Sequence, residues 1–238
     1  MDAQQLTRQI YWSPSGGLNE ILHNTTYLWL VIATIVFSYG VWKHVKLWRA
    51  GKQEICFDRP FDRLLLFFRN VVAQAKVLRS RRQRDPKPRS IYAAWMHGLI
   101  FYGFLALVFG TTIVALKDYS IIDLYYGWFY AFTKVTCQIG GVALAVGLVL
   151  GIARRSDKSQ NFTHSLGYIL LYSFLLVLVI QGFLLQGFRL AFDPNAVDAK
   201  WAFVGYLTSY LFPKNMSPEN ANMVYTAIWY SHMLITMA

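Results

Sequence analysis

Two imidazoles stand inside uninterrupted apolar stretches of the chain: His97 in IYAAWMHGLIFYGF and His232 in MVYTAIWYSHMLITMA. A polar side chain is expensive in hydrocarbon, so one kept there marks a function or a partner. Imidazole is an axial ligand of haem iron, and a b-type haem between membrane helices takes one histidine from each of two facing helices. His97 and His232 supply such a pair. At a rise of 1.5 Å per residue, His97 stands about 10 Å from the inner edge of its span, and His232 about 10 to 15 Å from the outer edge of its own. In a core about 30 Å thick they differ in height by roughly 5 to 10 Å. Helix tilt closes such a gap. The other solution is that each histidine binds a different haem. An intramembrane imidazole also suits a hydrogen bond to a neighbouring helix or a place in a proton path.

Other residues could serve such a group. Arg189 ends the run QGFLLQGFRLAF, which also carries Gln181 and Gln186; its guanidinium suits a haem propionate or a quinone head group, or it snorkels to the surface. Gly98, Gly103 and Gly110, with Gly140, Gly141, Gly147 and Gly151, offer faces without side chains to a flat macrocycle or to another helix. His44 and His164 lie at the ends of apolar segments beside Lys43, Lys46 and a basic loop, and read as interface residues with a second role as haem ligands on that side. His23 reads as solvated.

Positioning these groups requires membrane helices. The chain has 238 residues, of which 55% are apolar and 15% charged, well below the quarter charged that a soluble domain carries. Disorder and an ordinary water-soluble enzyme are both excluded. Five apolar segments follow: Tyr27 to Lys46, Ile91 to Leu116, Gly127 to Ala153, Ser165 to Phe188, and one that opens at Met223 and runs to Ala238. The expectation is an all-α integral membrane bundle of five helices, the fifth truncated, preceded by a tail over residues 1–26. Ser217-Pro218-Glu219-Asn220 marks a helix start, with a capping hydroxyl, a first-turn proline and an early acid. Lys134, the lone charge early in the third segment, is expected to snorkel. Tyr125, Tyr126, Trp128 and Tyr130 read as an interfacial aromatic belt.

The net charge is +11 from 23 Lys and Arg against 12 Asp and Glu, and the basic residues sort to one side. Fourteen of them lie between Lys43 and Arg89, and Arg154, Arg155 and Lys158 join them in the loop after the third segment. By the positive-inside rule these loops are cytoplasmic, the N-terminus is outside and the C-terminus inside. That sorting accounts for the charge without a nucleic-acid partner. Within the long loop, residues 47–90, the stretch from Phe61 to Ser80 places Leu64, Leu65, Phe68, Val71, Val72, Ala75 and Leu78 at helical spacing among basic residues, as a helix lying on the inner membrane surface does. The run Arg79 to Arg89 is explained by topology, with anionic lipid or an acidic protein as the alternative partner.

Cys56 and Cys137 form no CxxC, so the chain offers no disulfide framework, zinc site or cysteine-bound iron–sulfur cluster of its own. GxxxxGK[ST], GxGxxG and HExxH are missing, and the apolar segments carry no acids, so nucleotide-driven transport, metalloprotease chemistry, acid/base hydrolysis and proton-coupled transport lack support.

The segment MHGLIFYGFLALVFGTT, Met96 to Thr112, together with the five-segment layout and QGFLLQGFRLAF, resembles the nitrate reductase gamma subunit-like membrane cytochromes b. It is more similar to the membrane domain fused to heterodisulfide reductase-type iron–sulfur proteins, such as the electron transfer flavoprotein:menaquinone oxidoreductases. The resemblance implies haem b, one or two per protein, with His97 and His232 at matching positions of the second and fifth spans. Where a second histidine of the second span would fall, this chain has Leu107, which cannot ligate iron. It further implies menaquinone or ubiquinone as partner, a cytoplasmic iron–sulfur domain after residue 238 or an electron transfer flavoprotein as the other, and the cytoplasmic membrane of a prokaryote as the location. The function expected is membrane electron transfer as part of an oxidoreductase; the alternative is a haem-free membrane anchor.

Overall fold

The computed structural model describes residues 6–15, 19–51, 58–78, 91–156, 166–193 and 196–237. Cys56, the run from Arg79 to Arg89 and His164 lie outside the described residues. The described residues are helical and include no β-strand. Four helices are long and apolar enough to cross a membrane: α1 (Glu20–Arg49), α4 (Ile91–Asp118), α5 (Gly127–Ser156) and α6 (Leu166–Phe192). The remaining helices are α2 (Pro60–Phe67), α3 (Ala75–Leu78), α7 (Phe203–Ser209) and α8 (Pro218–Met237). The expected fifth span corresponds to α8, which at 20 residues has the length but begins with the polar turn Pro218-Glu219-Asn220 and is not among the four. Its start is capped as its sequence indicates, with the Asn220 N–H donating to Ser217 Oγ at 3.4 Å.

The chain forms two compact units. In the unit His23–Trp95, α1 is apolar around its circumference, and Leu28, Ile35, Val36 and Phe37 are exposed. A water-soluble helix would be amphipathic; one apolar all round belongs in lipid or a protein core. Lys43 and Lys46 lie over the rings of Tyr39 and Trp42 at 4.8 and 5.2 Å, as interfacial aromatics and snorkelling lysines do. The expected surface helix from Phe61 is interrupted: α2 continues as a π-helix over Phe68–Val72, and Gln74 then takes φ 49° and ends the run, its Nε2 donating to the Val71 carbonyl at 2.6 Å.

The other unit contains the N-terminal segment and α4 from Met96 onward, with α5 to α8. Most of the glycines in it serve helix packing. A Cβ on Gly103 would lie 2.6 Å from the Gly140 carbonyl oxygen, and one on Gly147 would lie 2.9 Å from the Ile100 nitrogen, so α4 and α5 meet backbone to backbone. Gly141 and Gly151 face the rings of Phe183 and Tyr172 on α6. The short α7 folds back onto α6, with Gly187 against Thr208 and Gly205 against Gln186. Residues 6–15 form a strap rather than a loose tail. The Gly127 N–H donates to the Leu6 carbonyl at 2.8 Å, Thr7 Oγ1 to the Tyr125 carbonyl at 2.7 Å, and Tyr11 OH to Asp118 at 3.2 Å. Trp12 is buried edge-on to Tyr225 in a cluster with Leu22, Phe188 and Ala221. The strap therefore fastens the ends of α4, α5 and α8 that lie together at one end of this unit.

Candidate functional site

One face of α5 is polar where its neighbours are apolar. Lys134 does not snorkel: its side chain is 6% exposed, and Nζ lies 3.1 Å from Oδ2 of Asp198, itself 1% exposed. Arg189 Nη2 donates to both Asp198 oxygens at 2.7 and 2.5 Å, Tyr130 OH donates to Oδ2 at 2.5 Å, and Arg189 Nη1 reaches Asp193 at 3.4 Å. Burial alone would push the Asp198 carboxyl up, but the Lys134 and Arg189 cations, with the hydrogen bonds from Arg189 and Tyr130, hold it well below the usual carboxylate range. One turn along, Gln138 joins three elements. Its Nε2 donates to Gln186 Oε1 at 2.6 Å, and its Oε1 accepts the N–H groups of Val204 at 2.9 Å and Gly205 at 3.4 Å. Ala202 offers no side chain to cap α7, so Gln138 does so from across the bundle.

Beside this polar face lies a cavity of about 790 Å³, within the size range of ligand and cofactor sites. It runs from Tyr119 and Tyr125 at the strap end to Leu144 and Leu175 deep in the helices, and most of its wall is apolar. Besides hydroxyl and thiol side chains, its polar groups are Arg8 from the strap, Lys134, Gln138, Gln186 and His232. His232 Nδ1 and Arg8 Nε are buried and without a hydrogen-bond partner. A Cβ added to Gly182 would sit 3.9 Å from His232 Cε1, with no other atom within 4 Å, so the flank of the imidazole is open there.

The sequence-derived candidates separate. His232 is on the cavity wall, whereas His97 is not; it stacks on Phe101 at 6.1 Å. Gly182 lies beside His232, Gly141 beside Phe183, and Gly140 beside Gly103 and Ala106, which puts His232 level with Gly103 to Leu107 of α4. His97 is therefore about 9 to 15 Å further from the strap end along α4. At the level of His232, α4 offers Leu107 to the cavity. Arg189 does not line the cavity; it is committed to Asp198 and Asp193. The cations at the cavity are Arg8 and Lys134, which sequence reasoning placed in a tail and at the surface. The signal for Lys134 was available: a lysine in an apolar span needs a partner, and Asp198 is one of few acids in the connections at that end. Arg8 had no such signal.

These groups suit a haem on a single imidazole. His232 offers a nitrogen, Gly182 a flank without a side chain, and Arg8 with Lys134 positive charge toward one end. They do not make His97 and His232 two walls of one cavity. Among the described residues no cluster of three or more His, Cys, Asp or Glu could hold a metal ion by itself.

No family model matches the chain, and no solved structure does. The chain is 29% identical over 235 residues to the EtfAB:quinone oxidoreductase of Syntrophomonas wolfei subsp. wolfei (strain DSM 2245B / Goettingen), an alignment covering 89% of this chain and 30% of that protein. The chain thus spans less than a third of the length of the relative it matches, and what it is similar to is the part of that protein aligned with its helices.

Proposed function

We propose that this chain is the membrane-embedded electron-transfer part of an oxidoreductase, exchanging electrons between a redox partner on its basic side and the quinone pool. The observation that carries the reading is the cavity with an imidazole whose buried Nδ1 has no hydrogen-bond partner, among apolar helices. Similarity to a protein named for EtfAB and quinone supplies the two ends of the transfer. In this reading α8 is a fifth span, the strap end faces outward and the basic loops face the cytoplasm of a prokaryote. The partner there is an iron–sulfur domain or an electron transfer flavoprotein, and the quinone is menaquinone or ubiquinone. A membrane of the nitrate reductase gamma-like kind is the model for the layout.

A bound b haem supplies reversible one-electron reduction between the partner and quinone. His232 would hold it in the cavity, and His97 would be the imidazole of a second, separate haem site nearer the basic side. Leu107 of α4, with Leu178 and Val179 of α6, keeps part of the wall apolar, which would exclude water from a group held there. Arg189 acts one step away: it fixes Asp198, which in turn fixes Lys134 at the cavity.

The test is a dithionite-reduced minus oxidised absorbance spectrum of the detergent-purified protein, with pyridine haemochrome quantitation. A b-type spectrum that weakens in His97→Ala and in His232→Ala is the expected result. A folded, colourless protein that takes up no added haem overturns the reading and leaves a membrane anchor.

A further inference from the structure

The charges around the cavity do not balance. Arg8, Lys134 and Arg189 face one fully buried acid, Asp198; Asp193 lies 3.4 Å from Arg189 with a side chain 20% exposed. Lys134 and Arg189 share Asp198, and Arg8 forms no ion pair or side-chain hydrogen bond among the described residues, with its Nε buried. Arg8 is half-buried with its Nε cut off from water and unpartnered, and Asp198, the acid that acts on it, is already shared by Lys134 and Arg189, so its place on the cavity wall marks where an anionic ligand group belongs. The strap that carries it is fastened on both sides, by Thr7 to Tyr125 and by Tyr11 to Asp118, so Arg8 is held at the cavity by structure rather than by chance of a loose tail.

We infer that Arg8 and Lys134 form an acid-group clamp, and that the ligand of this cavity is a rigid amphiphile carrying carboxylates at one edge and a metal for His232. Haem, with its two propionates, has that chemistry. The inference rests on the haem reading above and adds the orientation: acid edge toward the strap, at Arg8 and Lys134. Lys134 is seven residues into α5, about 10 Å from the strap end, and His232 is fourteen residues into α8, about 21 Å from it. One ligand lying along the cavity meets both. A quinone head group is uncharged and would leave Arg8 uncompensated, so the charge count favours the dicarboxylate over the quinone for this cavity. Bidentate donation by a guanidinium to a carboxylate gives the clamp its direction.

The clamp is tested by titrating haem-free protein in lipid nanodiscs with haem and with haem dimethyl ester, which has the same ring and metal without the carboxylates. Wild type is expected to bind the ester at least about tenfold more weakly than haem, the span that hydrogen bonds to charged groups provide. Arg8→Gln is expected to weaken haem by a similar factor and to leave the ester unchanged, and Arg8→Lys to fall between. Equal binding of ester and haem by wild type, or haem binding unchanged in Arg8→Gln, overturns the clamp while the haem reading stands. Wild type that binds neither compound overturns both. Since the ester comparison uses wild type alone, a variant that misfolds does not remove the test.

Discussion

Lys134 of α5 and Asp198, in the connection after α6, form a buried ion pair with Nζ 3.1 Å from Oδ2, and Arg189 and Tyr130 close on the same carboxylate. Breaking one side of such a pair leaves uncompensated charge in a low-dielectric site, whereas removing both sides together often costs little. Asp198→Asn is therefore expected to lower stability by about 3 to 5 kcal/mol. Lys134→Met in the same chain should recover part of that loss. Thermal unfolding in detergent of the single and double variants checks it as a double-mutant cycle.

The same carboxylate gives a pH dependence whose sign is fixed. Its folded-state pKa is depressed, so its contribution is fully present above its ordinary value of about 4 and is lost as pH falls below that toward the lower folded value. Unfolding followed from pH 7 downward should show no contribution from Asp198 until about pH 4 and a loss below it. In Asp198→Asn that part of the acid-side loss should disappear.

Gln138 caps α7 from α5, so Gln138→Ala removes acceptors for the N–H groups of Val204 and Gly205 and leaves Gln186 without its donor. The expected cost is about 1 to 2 kcal/mol, at the upper end for a lost cap because the freed groups are buried. Hydrogen exchange read at Val204 and Gly205 should rise before exchange in the rest of α6 does. Unchanged protection there would show that α7 does not depend on the cap.

Two glycines should respond in opposite ways to the same small change. Gly103→Ala places a Cβ 2.6 Å from the Gly140 carbonyl oxygen and should separate α4 from α5, at about 1 to 3 kcal/mol. Gly40→Ala in α1 meets nothing within 4 Å and should be neutral or gain up to about 1 kcal/mol from helix propensity. Unfolding temperatures of the pair in one detergent decide it.

Gly182 tests the cavity without touching its imidazole. Alanine there leaves the nearest atom, His232 Cε1, at ordinary contact distance and should preserve haem uptake. Gly182→Leu projects into the space beside the ring and should reduce haem content by about tenfold or more while the fold persists, since a pocket filled by side chain excludes its ligand. Pyridine haemochrome quantitation against circular dichroism separates the two effects.

The sequence alone determined the membrane helices and their order. Ile91 and Gly127 open α4 and α5 where the apolar runs begin, because a long stretch without charge is decided locally by transfer into hydrocarbon and by backbone bonds made within the helix. The cap at Ser217 was legible for the same reason: its partner is three residues away. What only the tertiary structure decided is who meets whom. Lys134 found Asp198 instead of the surface, and residues 6–15 became a strap carrying Arg8 instead of a tail. Gln138 capped a short helix that no apolar run announces, and Gly103 and Gly147 went to helix packing while Gly182 was left beside His232. Each of these pairs residues from different elements, and hydropathy or helical spacing specifies which face a residue is on but not which side chain lies opposite it. The separation of His97 from the cavity is of this kind: depth counted along two helices leaves open how those helices stand against each other, and the packing of α5 and α6 between them is what put His232 level with Leu107.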